Sequence, residues 1–186
     1  MLKNSKKKGL STRAIHAGQE PDKSTGAIMV PIYATSTYIQ KSPGEHLGFE
    51  YSRTQNPTRT AYEKCVADLE SGEFGFAFAS GMAAADTILS LLKIGDEVLA
   101  IDDLYGGTRR LFEKVRMKKS GINFNFINYK DFENINNYIT KNTKMIWVET
   151  PTNPMLTLVD LKKLGNIKGD IIKVVDNTFA SPINQR

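Results

Sequence analysis

A chain of 186 residues, 40% hydrophobic and 24% charged, can bury one substantial core and has the balance of an ordinary globular protein. Its formal net charge is +5, part of it from Lys3, Lys6, Lys7 and Lys8, a polar tail that reads as a solvated terminus or as an arm for nucleic acid or membrane, with no aromatic residue or further basic cluster nearby to favour the arm. A single cysteine, Cys65, excludes an internal disulfide framework, and no apolar run is long enough for a membrane span or a signal segment, so a reducing, cytoplasmic setting is expected.

Residues 1–10 read as tail, and residues 11–58 are rich in Ser, Thr, Gly, Pro and Tyr with little periodicity. The two segments form an expected N-terminal arm, 1–58, ahead of an α/β domain over 59–186. So long an irregular stretch tends to be functional or to wrap a partner. From residue 59 a helix is expected through Tyr62, Val66 and Leu69, capped by Thr58 or Thr60 and ended by Gly72. Phe74–Ala79 reads as a strand, followed through Ser80-Gly81-Met82 by a helix to Leu92. Glu97–Ile101 is a strand ending at Asp102-Asp103, and Tyr105-Gly106-Gly107-Thr108 leads into a helix with Leu111, Phe112 and Val115 on one face. Strand 123–127, a short helix 131–140, strand 144–149, a helix from Asp160 to Leu164 and strand 171–175 complete the series. The last strand, Ile171–Val175, suits burial on both faces and ends in Asp176, which either meets a cation or caps the following turn.

Alternating strand and helix specify a mostly parallel sheet with helices on both faces. Ligands of such sheets sit outside the carboxyl ends of the strands. Topology therefore gathers Ser80-Gly81-Met82, Asp102 with Tyr105, Glu149 with Asn153, and Asp176 with Thr178. Backbone N–H groups at the helix opening at Ser80-Gly81-Met82 favour an anion such as phosphate, or form a plain turn. Neither G-x-G-x-x-G nor G-x-x-x-x-G-K-[ST] occurs, which disfavours dinucleotide and P-loop sites. His16 and His46, with Cys65, make no convincing zinc set, so no metal is expected. One ligand suits these ends together: a phosphate for the helix, a flat ring for Tyr105 to stack on, a ring oxygen for Asn153 and a protonated ring nitrogen for Asp176. That ligand is pyridoxal 5'-phosphate.

The chain resembles the N-terminal part of the cystathionine γ-lyase/γ-synthase family, trans-sulfuration pyridoxal-phosphate enzymes with the aspartate-aminotransferase fold (PLP fold type I). The resemblance is carried by residues 50–59 (EYSRTQNPTR), 78–84 (FASGMAA), 102–108 (DDLYGGT), 149–154 (ETPTNP) and 174–182 (VVDNTFASP), in order. It implies that Ser80, Gly81 and Met82 hold the cofactor phosphate. It further implies that Tyr51 and Arg53 reach the phosphate in a neighbouring subunit, making the arm an oligomer contact, in a homotetramer for the intact enzyme. Tyr105 would stack on the ring and assist at the leaving group, Asn153 would bond the phenolic oxygen, Asp176 would hold the ring nitrogen protonated, Thr178 would support the cofactor, and Glu50 would face substrate.

In that family the Schiff-base lysine lies in a Ser-Ala-Thr-Lys-like segment downstream of the Asp-Asn-Thr-Phe run, and this chain ends at Arg186 before such a segment. Lys162, Lys163, Lys168 and Lys173 match no motif. The resemblance thus implies a truncated large domain without the C-terminal domain, inactive alone. The intact enzyme would act by γ-elimination or γ-replacement on cystathionine, a homoserine ester or cysteine, with cystathionine β-lyase and methionine γ-lyase as alternatives. An inactive fragment with weak cofactor binding is the reading of another class. A sulfur amino acid is the expected partner, with no nucleic acid and no membrane.

Overall fold

The computed structural model describes residues 8–186, so Lys3, Lys6 and Lys7 of the basic tail lie outside the described residues. Two compact units divide the chain after Ala77.

The first unit is more regular than its composition suggests. Helix α1, Leu10–His16, stands where an irregular arm was expected. It is anchored by Arg13, which is buried and whose Nε donates to Asp68 Oδ1 at 2.6 Å. A seven-residue helix with little apolar face is hard to read from sequence, because a single tertiary ion pair holds it. A short hairpin follows, β1 Gln40–Ser42 and β2 Glu45–His46, with His46 Nδ1 accepting from the Gly48 N–H at 3.1 Å. Helix α2, Pro57–Leu69, is capped by Asn56 rather than by Thr58 or Thr60. Asn56 Oδ1 accepts from the N–H groups of Thr58 and Arg59 at 2.9 and 3.4 Å, while the Thr58 hydroxyl is turned to the Pro31 carbonyl. Pro57 fits the first helical position, where no N–H is needed. Cys65 lies part-buried on α2 with its thiol toward the Ala14 carbonyl, and burial raises its pKa.

The expected strand at Phe74–Ala79 does not form. The segment has no ladder partner among the described residues, and Phe74 and Phe76 are 72% and 76% exposed. Its alternation is that of a strand, but a period of two says nothing about whether a neighbouring strand exists to pair with.

The second unit is built on four parallel strands in the order β4–β3–β5–β6: β3 Glu97–Ile101, β4 Asn123–Ile127, β5 Thr143–Glu149 and β6 Ile172–Asp176. Met145 through Glu149 are all buried, which requires cover on both faces of the sheet. That cover comes from α3 (Gly81–Leu89), a 3-10 run over Tyr129–Tyr138, α6 (Leu161–Asn166) and a longer composite helix. The composite helix starts as α4, Gly106–Arg110, widens to π-helical turns over Leu111–Arg116 and ends as α5, Met117–Ser120. The wider turn moves Val115 off the apolar face. Phe112 is fully buried, stacked on Phe124 at 4.6 Å and edge-on to Trp147 at 5.3 Å, whereas Val115 is exposed. Helix α7, Ser181–Asn184, closes the unit. Among the described residues strand β6 pairs only with β5, and Ile172 and Lys173 are exposed, against the burial on both faces expected of it. An apolar run of this length suits either an edge or a centre, and only pairing decides between them.

Candidate functional site

The sheet order sets the site. From β3 the chain passes to β4 on one side, then crosses to β5 on the other. The carboxyl ends of β3 and β5 therefore flank a topological switch point, where open α/β sheets leave a crevice. A cavity of about 350 Å³ lies there, lined by Ser80, Gly81, Met82, Tyr105, Thr108, Glu149, Pro151, Asn153, Asp176, Thr178 and Phe179.

One wall is the start of α3. Ser80 caps the helix, its Oγ accepting from the Ala83 N–H at 3.1 Å. The N–H groups of Gly81 and Met82 precede the first intrahelical donor, the Ala84 N–H that bonds the Ser80 carbonyl at 3.1 Å, so they are free to meet an anion. Gly81 is not required by a left-handed backbone, and a Cβ built there would meet nothing within 4 Å. Its bareness serves the space in front of it rather than packing behind it.

A second wall is Tyr105, whose side chain is half-exposed at 47%. Its ring lies against Gly107: a Cβ at that position would come within 2.5 Å of Tyr105 Cε1 and 3.1 Å of Met82 Sδ. Glycine at 107 is what lets the ring and the α3 opening sit together.

The floor is acidic. Glu149 is only 4% exposed, with Oε2 accepting from the Tyr105 N–H at 2.7 Å and Oε1 from the Asn153 N–H at 2.8 Å. Burial raises its pKa above the ordinary carboxylate value, the two N–H bonds oppose this, and Asp176 and Asp103 add to the rise. Asp176, the register partner of Glu149 on β6, caps the turn that follows it. Its Oδ1 accepts from the Thr178 N–H at 3.1 Å and the Thr178 hydroxyl at 2.5 Å. No ion pair among the described residues involves Asp176 or Glu149. Two neighbouring carboxylates thus border the cavity, neither in an ion pair with a described residue.

Ser80, Gly81, Met82, Tyr105, Asn153, Asp176 and Thr178 are brought together by the fold. Asp102, expected beside them, is not: it is exposed and its Oδ2 accepts from Asn128 Nδ2 at 3.1 Å. Glu50, Tyr51 and Arg53 belong to the first unit and do not line the cavity. There, Arg53 lies over the Tyr51 ring at 4.9 Å, and Glu50 Oε1 accepts from Gln40 Nε2 at 3.3 Å. Lys173 donates to the carbonyls of Gly165 and Ile167 at 2.9 and 2.8 Å. Sequence reasoning gathered Glu149 at the same edge, where it does line the cavity, but gave it no task, and it gave none to Gly107 or Phe179. The signal that singled out Asp176, a carboxylate ending an apolar strand, applies equally to Glu149. No cluster of metal-ligating side chains occurs among the described residues, and no described helix is long and apolar enough to cross a membrane.

The family described as Cys/Met metabolism PLP-dependent enzyme matches residues 11–186. A cystathionine beta-lyase of Coxiella burnetii is 60% identical over 185 residues, 98% of this chain and 48% of that protein. A probable cystathionine gamma-synthase of Herpetosiphon aurantiacus is 52% identical over 96% of this chain and 56% of its own length. The crystal structure of metB from Corynebacterium glutamicum superposes with a TM-score of 0.92 at 44% identity, covering 96% of this chain and 47% of that one. The chain spans about half the length of the curated relatives it matches.

Proposed function

The chain belongs to the family of Cys/Met metabolism PLP-dependent enzymes, and on that premise we propose that its cavity is the non-covalent cradle for pyridoxal 5'-phosphate in an enzyme of cystathionine metabolism. The observation that carries the reading is Asp176, a carboxylate on the cavity wall with no cationic partner among the described residues. A ring nitrogen that carries a proton supplies that partner. The remaining walls fit the same group. The free N–H groups of Gly81 and Met82, behind an open space, suit its phosphate. The exposed face of Tyr105 suits its ring. Asn153, whose backbone is fixed by Glu149, can direct its side chain to a ring oxygen.

When bound, the cofactor supplies an electron-accepting ring that stabilises negative charge on the α-carbon of an amino acid. The residues here bind and orient it. Asp176 keeps the ring nitrogen protonated, and Thr178, bonded to the same carboxylate, fixes which way that oxygen points. Tyr105 covers one ring face and excludes water from it. Substrate class is proposed from the relatives, whose names share cystathionine, a thioether amino acid. Glu50 facing that substrate, and Tyr51 with Arg53 reaching the phosphate of a cofactor in a second copy of the chain, belong to the proposal. So does the division into an arm, 1–58, and a cofactor-binding α/β domain from 59.

The test uses pyridoxine 5'-phosphate, which lacks the aldehyde and so reports the cradle alone. Calorimetry of the 186-residue chain is expected to show saturable one-site binding. Asp176→Ala should weaken it about tenfold to a hundredfold, the range for a hydrogen bond to a charged group. Equal affinity in both proteins would refute the role given to Asp176.

A further inference from the structure

Two of the loops around the cavity hold each other by exchanged carboxylates. From the end of β5, Glu149 reaches the loop after β3, accepting from the Tyr105 N–H at 2.7 Å, while its other oxygen accepts from Asn153 N–H in its own loop at 2.8 Å. From the loop after β3, Asp103 reaches back: its Oδ2 accepts from the hydroxyls of Thr152 at 2.5 Å and Thr157 at 3.2 Å. Thr152 is fully buried and Glu149 nearly so. The contacts are long-range, joining residues 44 to 54 positions apart.

Burying a carboxylate beside Asp176 and Asp103 is costly, and nothing cationic among the described residues offsets it. What a carboxylate provides that no neutral side chain does is two equivalent acceptors at a fixed span. We propose that Glu149 is a positioning residue for the cofactor cradle: its two oxygens set the spacing between the backbones that carry the Tyr105 ring and the Asn153 amide before a ligand arrives. The inference rests on the cofactor reading above.

The bonding pattern gives the two acids opposite responses to amide substitution. Glu149 uses both oxygens, so Glu149→Gln leaves one backbone N–H facing an NH2 group. Asp103 takes both hydroxyls on one oxygen, so Asp103→Asn can turn its amide oxygen to both. A role that depended only on negative charge would not separate the two.

The experiment measures pyridoxine 5'-phosphate affinity by calorimetry for the unsubstituted chain, Glu149→Gln, Asp103→Ala and Asp103→Asn, with thermal melts to verify folding. Backbone amide resonances of Tyr105 and Asn153 are followed without ligand. Glu149→Gln is expected to bind about tenfold more weakly or worse, with both amide resonances displaced. Asp103→Ala should weaken binding and Asp103→Asn should restore it to within about threefold of the unsubstituted chain. In the unsubstituted chain the two amides should titrate together with one carboxyl group, a readout that survives if Glu149→Gln does not fold. Affinity kept in Glu149→Gln, no rescue by Asp103→Asn, or amides that do not titrate together overturns the inference alone. Co-titrating amides in a chain that does not bind the probe overturn the cofactor reading and, with it, the positioning role.

Discussion

Glu149 and Asp176 are register partners at the carboxyl ends of adjacent parallel strands, so two acids of like charge stand side by side on the same cavity. Their surroundings differ. Glu149 ends a strand covered on both faces, is nearly inaccessible, and has each oxygen engaged by a backbone N–H. Asp176 ends a strand with one ladder partner among the described residues, is only part-buried, and one of its oxygens takes both bonds from Thr178. The first carboxylate is used up by the fold, and the second keeps acceptor capacity for something that comes from outside. Local sequence is alike in the two cases, an apolar strand closed by an acid. What separates the two is the groups aimed at each: backbone N–H groups engage both oxygens of Glu149, whereas Thr178 engages only Oδ1 of Asp176.

The sharpest way to break this comparison is to remove each side chain in turn without ligand. Glu149→Ala leaves the part-buried N–H groups of Tyr105 and Asn153 without their acceptor, and at roughly 1–3 kcal/mol for each group left unsatisfied the loss should be about 2–6 kcal/mol. Asp176→Ala loses a turn cap but relieves repulsion with Glu149, so its cost should stay below about 1 kcal/mol. Urea denaturation of the two variants decides, and similar losses would erase the distinction. A smaller effect is expected at Gly107. A methyl group there would meet the Tyr105 ring at 2.5 Å, yet that ring is half-exposed and can swing away. Gly107→Ala should therefore leave the denaturation midpoint nearly unchanged while weakening pyridoxine 5'-phosphate binding by about threefold to tenfold through the misplaced ring. A shifted midpoint with unchanged affinity would place the glycine in the packing rather than in the site.

The same contrast shows what sequence reasoning can reach. The parallel sheet, its strand order of appearance and the gathering of residues 80–82, 105, 153, 176 and 178 follow from alternation and from the rule that ligands sit at carboxyl ends. Those are properties of chain order, which sequence carries. What depends on lateral pairing is not carried. Among the described residues Phe74–Ala79 has the strand pattern and no ladder partner, β6 has a central-strand composition and pairs on one side alone, and Val115 leaves its apolar face where the helix widens. Helix α1 is held by one buried Arg13–Asp68 pair across 55 positions, which no local pattern announces. Glu149 was legible by the argument applied to Asp176. Its task was not, because that lies in backbone N–H groups of residues 105 and 153, which look the same at every position.

The smallest expected effect concerns pH, and its sign follows from which force dominates at Glu149. Burial raises the carboxyl above its ordinary value of 4.5, Asp176 and Asp103 push in the same direction, and the N–H bonds of Tyr105 and Asn153 oppose them. As pH rises past that ordinary value, the unfolded chain releases the proton first and the folded chain retains it. The folded state then binds more protons, so stability contributed at this residue falls with rising pH until the folded carboxyl has ionised, and is level thereafter. Urea midpoints of the unsubstituted chain and Glu149→Gln between about pH 4 and pH 8 therefore compare Glu149, together with its coupling to Asp176 and Asp103, against a neutral side chain. The unsubstituted chain should lose ground to Glu149→Gln as pH rises and then run parallel to it. A gain in its favour over the same range would mean that the two N–H bonds outweigh burial. Glu149 would then be a carboxylate stabilised by its loops rather than one that the loops hold at a cost.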